Sequence, residues 1–136
     1  MSTTFMTQTT GWMDRFGGLA SLTCAVHCGL LAFAPAALTL LGLEVLEAEV
    51  LEWAFFAFAL CFAGLAAALG FRTHHNFWVM GAFVAGIGLL VVARLTEALS
   101  VFDGGPVLAI LGGLVLVGSH LVNTAQIKAC QQPCCD

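Results

Sequence analysis

Residues Phe77–Leu99 read FWVMGAFVAGIGLLVVARLTEAL, and Phe77–Ala93 within them carry no charged side chain. About 20 predominantly apolar residues carry a helix across the hydrocarbon core of a bilayer. Three more windows of this kind accompany it, at Gly17–Leu41, Leu51–Phe71 and Pro106–Ile127. The composition agrees with them: of 136 residues, 60% are hydrophobic and only 9% charged, against about a quarter charged in a soluble domain. So little polar surface cannot cover a water-facing globule. A soluble enzyme, a disordered tail and a nucleic-acid binder are therefore excluded, the last also because a net charge of −4 leaves no basic stripe for phosphates. The expected fold class is an all-α integral membrane protein, a four-transmembrane-helix bundle.

The first window could be mistaken for a signal peptide, but its apolar region is too long and runs past any cleavage point, which marks it as a retained helix. Pro35 inside it removes a hydrogen bond and predicts a kink on the outer side of Cys28. Pro106 suits the first turn of the last helix. Few basic residues are present, so each weighs on topology. Arg15, Arg72 and Lys128 fall on one side of four spans, and the positive-inside rule makes that side cytoplasmic. The opposite side carries Glu44, Glu47, Glu49, Glu52, Glu97 and Asp103, with Arg94 one helical turn from Glu97 and able to pair with it. Both termini are expected in the cytoplasm of a bacterium, with the chain in its inner (plasma) membrane. Residues 1–16 then form a polar cytoplasmic segment, 17–127 the membrane domain and 128–136 a Cys-rich cytoplasmic tail.

Six cysteines are present, and they do not space out as a secreted disulfide framework. Cys24 and Cys28 are four apart, so on a helix they share one face about 5–6 Å apart, close enough for two thiolates to hold one soft metal ion. His27 points about 100° from Cys28 and need not join them. At about 1.5 Å per residue, Cys24, His120 on the last helix and Cys61 on the second all fall roughly 10–15 Å into the bilayer. Asn123, one turn from His120, can orient it. A membrane imidazole must face a partner in the bundle, whereas a lone Cys such as Cys61 reads first as a small apolar filler and only second as a supporting ligand. His74 and His75 read as a solvated loop. In the tail, Cys130, Cys134 and Cys135 lie within six residues in a reducing compartment, which points to a soft-metal ligand set or to an acylation site rather than a disulfide.

Four spans, the segment Cys24-Ala25-Val26-His27-Cys28, His120 with Asn123, and the Cys-rich tail together resemble the MerC family of mercury-resistance membrane proteins. The resemblance covers nearly the whole chain. It implies an inner-membrane carrier that takes up Hg(II) through thiols and delivers it to a cytosolic thiol acceptor such as mercuric reductase. On that resemblance Cys24 and Cys28 are the intramembrane acceptor, and Cys130, Cys134 and Cys135 the inner relay. One departure is plain: two residues separate the first cysteines of the family's operon-borne carriers, and here three do, one of them His27. Imidazole beside thiol widens the choice to zinc or another borderline ion.

The expected mechanism is ligand exchange, in which a thiophilic divalent ion passes from the helix-1 thiols to the tail and then to the acceptor, with no cofactor permanently bound. No Walker motif is present, so no nucleotide is called for. Because thiol ligands must deprotonate, uptake should release protons and fall at low pH. Three other readings stay open: a zinc carrier or metallochaperone using His27, His120 and the helix-1 thiols, a thiol-redox protein, and a structural subunit. The redox reading is disfavoured within helix 1, because an i,i+4 pair holds its Cα atoms near the upper limit for a disulfide. Four short helices enclose little space, which leaves room for a homo-oligomer.

Overall fold

The computed structural model describes the backbone of residues 2–33, 40–43, 48–100 and 104–130, and within the first helix the side chains of residues 12, 15–27, 29 and 30. Four helices follow one another: α1 (Ser2–Phe33), α2 (Glu49–His74), α3 (Phe77–Ala98) and α4 (Gly105–Ala129). Among the described residues, α2, α3 and α4 are each long and apolar enough to cross a membrane. The polar stretch before Gly17 is helical, because α1 begins at Ser2. The expected kink at Pro35, the acidic residues Glu44 and Glu47, Asp103, the side chain of Cys28, and Cys134 and Cys135 lie outside the described residues.

Local chemistry sets the helix ends. Glu49 and Glu52 occupy the first turn of α2, and Arg72 and His74 its last, each on the end of the helix dipole that favours its charge. His75 then turns left-handed at φ 51°, and its N–H closes on the Phe71 carbonyl at 2.9 Å. Asn76 caps the next helix, its side-chain oxygen accepting from the Trp78 N–H at 2.9 Å. Only these two residues separate α2 from α3, so the pair must run antiparallel. Pro106 stands in the first turn of α4, where a missing N–H costs nothing.

In the bundle, α4 packs most extensively against α1 and α3, α2 lies against all three others, and among the described residues α1 and α3 have no close backbone contact. The interior is built from small residues: Ala59, Ala63, Ala66 and Ala67 of α2 face Phe83 and Leu90 of α3 and Leu116 of α4. Backbones come close at the crossing of α3 and α4. A Cβ on Gly112 would stand 3.1 Å from the Gly86 carbonyl oxygen, and one on Gly86 2.7 Å from Cδ2 of Leu116. Such backbone proximity drives helix association in lipid, where the hydrophobic effect between helices is weak.

The distribution of polarity is inverted relative to a soluble protein. Ser21, His27, Ser119, His120 and Asn123 are buried, while Phe58, Leu65, Val84, Val92, Leu111 and Leu121 are exposed on the outside. Several helix hydroxyls are satisfied locally, Thr23 donating to the Leu19 carbonyl at 2.9 Å and Ser119 to that of Val115 at 2.8 Å. An apolar exterior of this extent fits lipid and would be an aggregation hazard in water.

Candidate functional site

Cys24 and His27 are three residues apart on α1, so both turn toward the same side of the helix. Both are buried. They line one cavity of about 120 Å³ with Glu52, Phe55 and Phe56 of α2, Leu90, Ala93, Arg94 and Glu97 of α3, and Pro106 and Ala109 of α4. All four helices thus contribute to its wall. By the same measure one water needs roughly 10–15 Å³, so the space accommodates a partly hydrated ion. The imidazole of His27 lies against the Phe55 ring, with centroids 4.9 Å apart, which fixes its side of the cavity.

The mouth of the cavity is ionic. Nη1 of Arg94 donates to Oε2 of Glu52 at 2.6 Å and to Oε2 of Glu97 at 2.9 Å. The expected pairing with Glu97 is present, and Glu52, from the neighbouring helix, is a second partner that helix spacing alone could not reveal. The guanidinium also sits over the Trp53 ring, 4.8 Å from its centroid. The side chains of Arg94, Glu52 and Glu97 retain 16%, 28% and 33% of their exposure. They are therefore partly buried without being sealed off.

His120 lies elsewhere. Its ring rests on α1 at Gly17, where a Cβ would come within 2.6 Å of Nε2, and its other side meets Phe83 edge-on at 5.0 Å between centroids. Gly17 is seven residues from Cys24, about 10 Å along the helix. The structure accordingly sets His120 and the Cys24 cavity at different levels of the bundle. Asn123, also fully buried, reaches α2 instead. Its Oδ1 is 2.8 Å from Nε2 of His74, and its amide donates to the Ala66 carbonyl at 3.4 Å. Since Nδ1 of His74 accepts the Asn76 N–H at 3.0 Å, Nε2 must carry the proton that bonds Asn123. The expectation of a solvated loop is therefore corrected for His74, which joins α2 to α4, while His75 is exposed.

Cys61 lies on the exposed face of α2, and Cys130, exposed, ends α4. Neither approaches the cavity. Among the described residues no three His, Cys, Asp or Glu side chains converge tightly enough to hold a metal ion, and Cys24, Cys61 and Cys130 form no disulfide. The charged groups the sequence did not single out as site residues are Glu52, Arg94 and Glu97. A signal for them existed, since a charged residue inside an apolar run demands a partner.

A helical bundle with an apolar exterior, three membrane-length helices and a buried thiol and imidazole beside an ionic cluster defines a polytopic membrane protein. A family model described as MerC mercury resistance protein matches residues 14–125. The chain belongs to this family. It is a multi-pass inner-membrane transport protein of the mercury-resistance type, not an enzyme. Comparison with curated proteins gives no match, and comparison with solved structures gives none either.

Proposed function

We propose that the chain carries Hg(II) across the inner membrane by exchange between thiolates. Four spans put both termini in the cytoplasm, with Arg15, Arg72 and Lys128 on the inner side. The ion enters at the ionic end, is taken by Cys24 with Cys28, and is assisted by His27. His120 is the next imidazole inward along α4, with Asn123 as its supporting neighbour. Cys130, Cys134 and Cys135 form the last thiol set, from which a cytosolic acceptor such as mercuric reductase withdraws the ion. The observation that carries this reading is the burial of Cys24 and His27 in one cavity of the helical bundle, in a chain of the MerC family.

A second reading is favoured by the same cavity. Its wall offers imidazole and carboxylate as well as thiol, a mixed donor set that suits zinc or another borderline ion as well as mercury. One experiment separates the two: elemental analysis of intact cells for Hg, Cd, Zn and Cu, comparing the wild type with Cys24→Ser/Cys28→Ser and His27→Ala. Mercury accumulation that disappears in the cysteine variant is the expected result. Zinc accumulation that depends on His27 would establish the second reading. Normal expression with unchanged metal content in all three chains would refute both.

A further inference from the structure

We propose that Arg94 is a resident cation gating the cavity, seated at a point where an incoming divalent ion can take its place between Glu52 and Glu97. This rests on the carrier reading and adds to it a regulated entrance. The two carboxylates belong to different helices, yet the Oε2 atom of each converges on the same nitrogen, Nη1 of Arg94, at 2.6 and 2.9 Å. A cation at that nitrogen's position would have two carboxylate oxygens around it, and only a few tenths of an ångström of closing would bring them to metal–oxygen distances of about 2.0–2.6 Å.

Two features make the arginine replaceable. Its Nε is buried and has no hydrogen-bond partner among the described residues, so the guanidinium leaves one donor unsatisfied where it sits. One positive charge also faces two carboxylates, leaving the cluster one negative charge in excess, which a divalent ion would reverse to neutrality or better. Glu97 packs closely on Gly105 at the start of α4, where a Cβ would stand 2.8 Å from Oε1, so its carboxylate stays in place beside Glu52. Behind this mouth lie Cys24 and His27 on the same cavity. A cation that displaces Arg94 from the carboxylates thereby opens the way to softer donors, and an ion unable to compete with the guanidinium does not enter. A ligand shifts such an equilibrium only through its differential affinity for the two states, so the gate selects for divalent charge before the thiols select for softness.

The Trp53 ring under the guanidinium supplies the readout. In a chain carrying Trp12→Phe and Trp78→Phe, Trp53 is the sole tryptophan. The purified full chain in nanodiscs is titrated with Zn(II), which serves as a non-quenching divalent probe. The expected result is a saturable change in Trp53 emission, absent in Glu52→Gln/Glu97→Gln and retained in Cys24→Ser. Arg94→Gln should tighten Zn(II) binding measured by calorimetry by about tenfold, a modest fraction of what an ion-pair competitor can withhold. An unchanged Trp53 signal in the wild type overturns the gate even if Arg94→Gln fails to fold. So does a signal that survives the double carboxylate variant, or one that vanishes in Cys24→Ser. Failure of the carrier reading looks different: metal accumulation in cells indifferent to Cys24, whatever Trp53 does.

Discussion

Gly17 and Gly18 are sequence neighbours on α1 with opposite steric surroundings, and the pair isolates the contact that seats His120. A Cβ at position 17 would overlap Cε1 of His120 and lie 2.6 Å from Nε2 and 3.0 Å from Nδ1, whereas at position 18 the nearest atom is Cβ of His120 at 3.7 Å, an ordinary contact. The ring cannot retreat, because His120 is 1% exposed and Phe83 closes its far side. Forcing a methyl into such a site costs about 1–3 kcal/mol. Replacing glycine by alanine inside a helix returns up to about 1 kcal/mol at either position, so that gain cancels in the comparison. Gly17→Ala should therefore be about 1–3 kcal/mol less stable than Gly18→Ala. Reversible SDS titration of the protein in mixed micelles, followed by circular dichroism, measures the difference. Repeating the pair in a His120→Ala background should collapse it to within about 0.5 kcal/mol, since the clashing ring is gone. Equal stabilities of the two alanine variants, or a difference that persists without the imidazole, would refute the seating of His120 on Gly17.

Two further outcomes are expected. Asn123→Ala removes the partner of His74 Nε2 and of the Ala66 carbonyl and should cost about 1–3 kcal/mol in the same titration; a neutral result would mean the α2–α4 link carries no stability. In intact membrane vesicles, Cys61 should react with lipid-soluble maleimide and Cys130 with an impermeant one applied from the cytoplasmic face, while buried Cys24 stays protected from both. Labelling of Cys130 from the outer face would invert the proposed orientation.

The spans of α2, α3 and α4 were legible because an apolar run of membrane length announces itself without any knowledge of its neighbours. Other features needed the neighbours. Arg94 and Glu97 are three apart on one helix, so their pairing could be read locally, but Glu52 joins them only through the antiparallel register of α2 and α3. His74 looked like a loop residue, and its real partner stands 49 positions away on α4, beyond the reach of any periodicity. On α1, both the i,i+3 pair Cys24/His27 and the i,i+4 pair Cys24/Cys28 share a face. Thiol chemistry singled out the second pair, whereas the position of Phe55 on α2 brings His27 onto the cavity.

That packing also bears on how a thiol relay could work. The polar interior falls into two clusters: Cys24, His27, Glu52, Arg94 and Glu97 around the cavity, and His120, Asn123 and His74 toward the other end. Between them α1 and α4 are in tight contact, with a Cβ on Gly113 standing 2.9 Å from Cβ of Ala25 and 3.1 Å from the Ser21 carbonyl oxygen. Gly17, under His120, is about 10 Å along the helix from Cys24, several times the length of a metal–sulfur or metal–nitrogen bond of about 2.0–2.3 Å. Cys61 cannot shorten the step, because it faces outward. A single ligand exchange between rigid helices therefore cannot carry an ion from the cavity to His120. Ser21 lies between the two levels, fully buried, with no hydrogen-bond partner for its hydroxyl among the described residues, and an oxygen of that kind is a poor ligand for a soft ion. If the cargo travels by thiolate exchange, α1 must shift against α4 during transport, and the Ala25–Gly113 contact is the one such a shift has to break.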